Sequence, residues 1–403
     1  MAAEIDGRLR SSRFDRPSAR TLWRRGSAIA TLASARDNPP FVVIENRIAG
    51  VLSLSRIVIL TEGKSNPTEA KTATGVLRYR GDDVVAVLDS TAAGTTARQL
   101  LGVGGDIPVV ARLGDVEGDT LLIGIASAGG ALPAAWRPVL REAIERGMRI
   151  VNGLHTFLED DAELRELAAK RGVELEDVRR PPKGLTVSRN VARDTTCFRV
   201  HTVGHDCSVG KMVTALEITR ALRELGHDAE FLATGQTGIM IAGTGVPIDA
   251  VVSDFVAGAI EHLVLEHADA DFVLVEGQGS LIHPLYSGVT LGLLHGCAPQ
   301  AMVMCVDPTR TTIKYGNAPM RPTGEVIEIY ELMARLITPS RVVAVAVNTS
   351  ELGAERARAE VDSIASEVGL PATDVVRFGV APIVDAILAA RGEHARRAES
   401  TES

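Results

Sequence analysis

Residues 198–225 constrain this chain more than any other stretch. Residues 198–203 form a β-prone run, and Gly204-His205-Asp206-Cys207-Ser208-Val209-Gly210-Lys211-Met212 follows. Val213, Leu216, Ala221 and Leu225 then recur at helical spacing, and Gly226 stops the run. Strand, glycine loop, Gly-Lys and helix make a phosphate cradle. Backbone N–H groups of the loop and the helix N-terminus attract the anion, and the lysine adds a point charge. Gly204 to Met212 are therefore the candidate cofactor-binding residues. The loop departs from the common pattern in two ways. Five residues separate Gly204 from Gly210, and Met212 stands where a Ser or Thr hydroxyl ordinarily helps hold Mg²⁺. Ser208 and Thr214 are the nearest substitutes for that hydroxyl.

Three further apolar runs end in chemistry-bearing residues. Residues 271–275 lead into Glu276-Gly277-Gln278-Gly279-Ser280. Glu276 at a strand tip suits a metal ligand or a general base, or a turn cap. Residues 301–306 end in Asp307-Pro308-Thr309-Arg310, with Lys314 and Arg321 close behind. These three cations either clamp a carboxylate or phosphate, or are solvated. Residues 341–347 end in Asn348-Thr349, where an amide reads a nucleotide base or simply makes a turn. The glycine-rich residues 235–247 read as a loop that touches ligand, with Gln236 and Thr237 facing substrate beside Gln278, or else as a tight crossover.

The first half shows the same alternation. Residues 56–60, 84–88, 120–125 and 150–153 read as strands, and 67–76, 136–146 and 160–170 as helices. Such alternation implies parallel sheets with the ligand crevice at the strand C-termini. The expected fold class is α/β, with two doubly wound parallel-sheet domains. The charged segment 174–189, containing Pro181-Pro182, is the expected boundary. The expected organisation is an arm at 1–40, domains at 41–182 and 183–390, and a polar tail at 391–403. Residues 1–36 hold eight arginines against Glu4, Asp6 and Asp15, which reads as a packing strap or free arm rather than a nucleic-acid arm.

Composition removes several functions. Aromatic residues are 3% of the 403, too few for a stacking platform for single-stranded nucleic acid, and the net charge is −8. Cys197, Cys207, Cys297 and Cys305 show no zinc spacing and no disulfide framework, so reduced thiols in a cytoplasmic protein are expected. No apolar run reaches the ~18 residues of a membrane span. Arg24-Arg25 precedes a short Ala/Ser/Thr-rich stretch without the apolar centre of a signal sequence.

The loop 204–212 resembles that of dethiobiotin synthetase, which has the same five-residue gap, an Asp in the third position and Val-Gly-Lys. Glu276-Gly277-Gln278-Gly279 resembles that family's Glu-Gly-x-Gly. A wider set of motifs is similar to a bacterial family known as a domain of unknown function. The set is Glu62-Gly63, Ala70-Lys71-Thr72-Ala73-Thr74-Gly75, Asn152-Gly153-Leu154-His155, Asp206 to Met212, Gly235-Gln236-Thr237-Gly238 and Val275 to Gly279. That resemblance implies a Rossmann-like N-terminal domain and a P-loop NTPase-like C-terminal domain. The family includes D-glutamate N-acetyltransferase.

The resemblance implies an N-acetyltransferase that uses acetyl-CoA on an acidic amino acid such as D-glutamate. Lys211 and its loop would hold CoA phosphates, and Arg310, Lys314 or Arg321 the substrate carboxylates. Glu276 or Asp206 would take the amine proton. Cys207 is a further candidate nucleophile, since a helix N-terminus and Lys211 would lower its pKa. The likeness to dethiobiotin synthetase implies instead an ATP- and Mg²⁺-dependent ligase that phosphorylates a carboxylate or carbamate. There Lys211 would serve the transferred phosphoryl group and Glu276 the metal. A nucleotide-dependent switch is the third reading. The expected partner is a small-molecule substrate, with neither nucleic acid nor membrane, and a homo-oligomer is the expected assembly.

Overall fold

The computed structural model describes residues 56–66, 69–126 and 129–402. The basic arm and the first residues of the expected 67–76 helix lie outside them. In chain order the elements begin with β1 (Ile57–Leu60), α1 (Lys71–Tyr79), β2 (Val84–Leu88), α2 (Ala97–Leu101), β3 (Val109–Val110), β4 (Thr120–Ile123), α3 (Arg137–Glu145), β5 (Arg149–Asn152), α4 (Ala162–Arg171) and β6 (Leu175–Asp177). Then come β7 (Phe198–Gly204), α5 (Lys211–Glu224), β8 (Ala229–Leu232), α6 (Gln236–Ala242), α7 (Val256–Leu265), β9 (Phe272–Val275) and α8 (Ser287–Cys297). The chain closes with β10 (Ala301–Val306), α9 (Thr323–Arg335), β11 (Arg341–Val347), α10 (Ala354–Val368), β12 (Ala372–Thr373) and α11 (Ala381–Glu402).

The described chain forms two compact units. One runs to Lys183 and takes in Gly235–Ala250; the other holds Gly184–Thr234 and the chain from Val251 onward. Each is built on a six-stranded parallel sheet, ordered β3-β2-β1-β4-β5-β6 in the first and β12-β11-β10-β7-β9-β8 in the second. The fold is thus α/β, a pair of doubly wound parallel sheets. In the first unit Leu60, Leu121, Ile123 and Ile150 pack beneath Leu140 and Ile144 of α3 and Leu164 of α4. In the second, β7 is buried along its whole length. Phe198 and Val200 meet Ile218 and Leu222 of α5 and Ile383 and Ile387 of α11. Val203 meets Leu294 of α8 and Val326 and Tyr330 of α9. Strands covered on both faces read as unbroken apolar runs, which is why the central ones were visible in sequence.

One expectation needs correction. Residues 235–247 do not form a plain loop: Gln236–Ala242 is a helix closed by Gly243 at φ 79°. Its glycines are tolerated because the helix is short and ends on one of them. The boundary segment 174–189 opens with the edge strand β6. The polar tail is the end of α11. Among the described residues no helix is long and apolar enough to cross a membrane.

Candidate functional site

The expected cofactor loop joins β7, third from the β8 edge, to α5. Ser208 at φ 55° and Gly210 at φ 102° are left-handed just before the helix. Alternating backbone hand of this kind forms an anion-binding concavity. Lys211 is buried, and its Nζ donates to the Asp206 carbonyl at 2.7 Å. Burial pushes its ammonium below the ordinary lysine value, and an anion in the loop would oppose that shift. Two glycines make room for it. A Cβ on Gly204 would stand 3.1 Å from Lys211 Nζ, and one on Gly277 would stand 2.9 Å from Lys211 Cδ and 1.7 Å from the Thr202 carbonyl. Val209 is buried in the core beneath the loop, and Met212 is half-buried.

Arg310 reaches the loop and makes four hydrogen bonds. It donates to Asp206 Oδ2 at 2.6 Å, the Cys207 carbonyl at 2.7 Å, the Ser208 carbonyl at 3.0 Å and Asp307 Oδ2 at 3.0 Å. It therefore braces the loop from its carbonyl side. Asp206 is buried, and also accepts the N–H groups of Cys207 and Lys314. Burial alone would raise its carboxyl, but the bonds from Lys314, Arg310 and Cys207 hold it below the usual carboxylate value. So stabilised an anion is a weak base. Cys207 goes the other way from the sequence expectation: burial, then the Asp206 charge, push its thiol up, outweighing Lys211, Lys314 and Arg310.

His205 Nε2 accepts the Asp307 N–H at 3.0 Å, and burial pushes its pKa down to about 4. It is a neutral strut between the loop and the tip of β10. Glu276, buried at the tip of β9, accepts the Thr234 N–H at 2.9 Å through Oε2, and its carbonyl accepts the Thr234 hydroxyl. Gln278 Nε2 donates to the same hydroxyl at 3.2 Å. Lys314 presents its N–H to Asp206 and its carbonyl to His283 Nε2 at 2.7 Å. The Nδ1 atom of His283 accepts from Leu285 N–H.

Two expected residues take other partners. Arg321 is exposed at the start of α9 and pairs with Glu325. Asn348 Oδ1 accepts the Ser350 N–H at 3.2 Å, the work of a turn residue. Gln236 and Thr237 belong to the first unit, where the Thr237 hydroxyl bonds that of Thr72 at 2.8 Å. Sequence reading missed His283, Thr202 and Tyr330. Tyr330 donates to the Gly204 carbonyl at 2.9 Å from the middle of α9, and nothing local in the sequence marks it.

Of the hydroxyls and carboxylates that could hold Mg²⁺, those of Thr214 and Asp307 are committed elsewhere. Thr214 is buried and accepts Cys305 Sγ at 3.6 Å. Asp307 Oδ1 takes the Thr309 N–H and hydroxyl, and Oδ2 takes Arg310. Asp206, Cys207 and His283 offer donor atoms within 4.8 Å of one another. Yet both His283 ring nitrogens have backbone partners and Arg310 sits on the carboxylate, so this set does not fit a cation. In the first unit the carboxylate at the tip of β2 is likewise turned inward. Asp89 accepts Gly63 N–H, Thr91 N–H and the Thr91 hydroxyl through Oδ1, and Ser65 through Oδ2. A dinucleotide ribose would need that carboxylate free.

Fold and loop together define a protein with a Rossmann-like sheet followed by a P-loop sheet. The family models agree: a DUF1611 P-loop domain matches residues 186–384 and a DUF1611 Rossmann-like domain residues 90–181, both described as domains of unknown function. The chain belongs to the DUF1611 family. It is 38% identical over 324 residues to a D-glutamate N-acetyltransferase of Tritonibacter scottomollicae, covering 79% of this chain and 94% of that protein. A D-glutamate N-acetyltransferase of a Pseudoalteromonas species is 41% identical over 267 residues, 66% of this chain and 80% of that one. The crystal structure of a DUF1611 family protein from Anabaena variabilis is similar with a TM-score of 0.80 and 38% identity, covering 83% of this chain and 99% of that one.

Proposed function

We propose that the protein is an N-acetyltransferase that moves an acetyl group from acetyl-CoA to the amine of D-glutamate or a close acidic relative. The observation that carries the reading is the similarity to a relative of that name across 94% of the relative's length. Met212, at the position where a Ser or Thr hydroxyl ordinarily helps hold Mg²⁺, supports it over the Mg-ATP ligase, because a thioester donor needs no metal. In this reading the loop 204–212 and Lys211 hold phosphates of CoA, which supplies an acetyl group already activated as a thioester. Glu276, not Asp206, is the better base for the amine proton, since Asp206 is held as a stabilised anion. Of the three expected cations Arg310 is engaged at the loop and Arg321 pairs with Glu325. The four cysteines, all free thiols, suit a reducing, cytoplasmic setting.

The test is a paired assay on purified protein. D-glutamate with acetyl-CoA should release CoA thiol without ATP. Release of ADP from Mg-ATP in the presence of D-glutamate, with no thiol release, would replace the reading by the ligase. Lys211→Ala should raise the KM for acetyl-CoA at least about tenfold, the scale of a lost charge-assisted hydrogen bond. An unchanged KM would remove the phosphate loop from the argument.

A further inference from the structure

The chain holds four tyrosines, and three of them gather at the phosphate loop. Tyr330 bonds Gly204 from within the core. Tyr286 packs its ring against His283, centroids 4.8 Å apart, and its hydroxyl is pushed up by burial and by the neighbouring Cys207, Tyr315 and Asp206. Tyr315 is 59% exposed. In so aromatic-poor a chain this concentration calls for a cause, and core packing supplies one only for Tyr330.

Tyr315 is also held in an unfavourable conformation. Its φ is 63°, a region bulky residues avoid. The preceding peptide explains how the strain persists. Buried Asp206 takes the Lys314 N–H, buried His283 meets the Lys314 carbonyl, and the Gly316 N–H donates to the Ile313 carbonyl at 3.2 Å, which closes a tight turn with Tyr315 at its third position, the one that takes a positive φ. The result is a phenol ring in solvent on the exposed face of residues 309–316, with the Lys314 ammonium 5.2 Å from its centroid. A ring displayed at a backbone cost, beside a cation, fits a flat, electron-rich anionic ligand.

We propose that Tyr315, braced by Lys314, is the stacking face for the adenine ring of the phosphate-bearing cofactor. The proposal rests on the reading of residues 204–212 as a phosphate site. Adenine is common to CoA and ATP, and the experiment separates the two.

The test compares acetyl-CoA with acetylpantetheine, which carries the thioester but no nucleotide, as donors to D-glutamate. Tyr315→Asn keeps a residue suited to positive φ and removes the ring. It should raise the KM for acetyl-CoA about tenfold, the scale of one lost base–aromatic stack, and leave acetylpantetheine turnover unchanged. Tyr315→Phe should stay within about twofold of wild type for both donors. An equal rise for both donors, or no rise for acetyl-CoA, overturns the stack. If the wild type transfers no acetyl group, the transferase reading falls by itself. Calorimetric titration with CoA, ATP and inorganic diphosphate then decides. Tyr315→Asn weakening whichever nucleotide binds, but not diphosphate, upholds the stack; equal weakening, or none, overturns it.

Discussion

Gly277 shows how narrow the tolerances at this loop are. An added Cβ there would stand 1.7 Å from the Thr202 carbonyl, on the neighbouring strand's backbone, and 2.9 Å from the Lys211 stem. Gly277→Ala should therefore lower the melting temperature by several degrees and depress activity, since overpacking costs about 1–3 kcal/mol or more; a thermal melt beside the thiol-release assay checks it. Arg310 offers a second residue-scale prediction. Arg310→Lys keeps the charge but cannot reach two carbonyls and two carboxylates at once. It should weaken acetyl-CoA binding more than D-glutamate binding, read as separate KM values; the reverse pattern would return Arg310 to the substrate. The residue types at this site were legible in the sequence because glycine, lysine and strand-tip carboxylates each answer a local need. Their partners were not. Arg310 is written three residues after Asp307, yet its bond to Asp206 spans 104 positions.

At the scale of elements, β7 and the loop after it carry two neutral histidines. Burial pushes His201 and His205 down to about 4, from an ordinary value near 6.5. The sign follows from linkage. The unfolded chain binds these protons first, so the stability the pair contributes is complete above about pH 6.5 and is lost as pH falls toward 4. Melting temperature should fall across that window, and His205→Asn should make the fall shallower; an identical pH profile for the variant would exclude His205 as a contributor. Sequence legibility also divided by element. The buried strands β1, β2, β10 and β11 stood out as continuous apolar runs, whereas the edge strands β3 and β12 span two residues each and carry too little pattern. Helix α6 was hidden by its glycines.

Across the whole molecule, the chain order and the packing order differ. Gly235–Ala250 follows β8 of the second sheet directly but packs within the first unit. There Arg80 Nη1 donates to the Met240 carbonyl at 3.0 Å, and Arg179 pairs with Asp249. Both arginines are buried, and losing such a partner inside a fold is costly. A fragment of residues 45–183 should thus melt lower and be digested faster by protease than the same fragment joined by a short linker to 235–250. Equal resistance would mean the segment adds nothing to that unit. The sequence by itself determined two parallel α/β sheets, the loop at residues 204–212 and the glycines that clear space at strand tips. All of these follow from periodicity and local backbone geometry, which neighbouring residues suffice to encode. Only the tertiary structure decided that Arg310 braces the loop, that Asp206 is a stabilised anion, that Tyr315 stands strained in solvent, and that residues 235–250 leave their neighbours. The reason is physical: a charged or aromatic side chain takes its role from the groups that surround it once distant segments have packed, and spacing along the chain does not specify those groups.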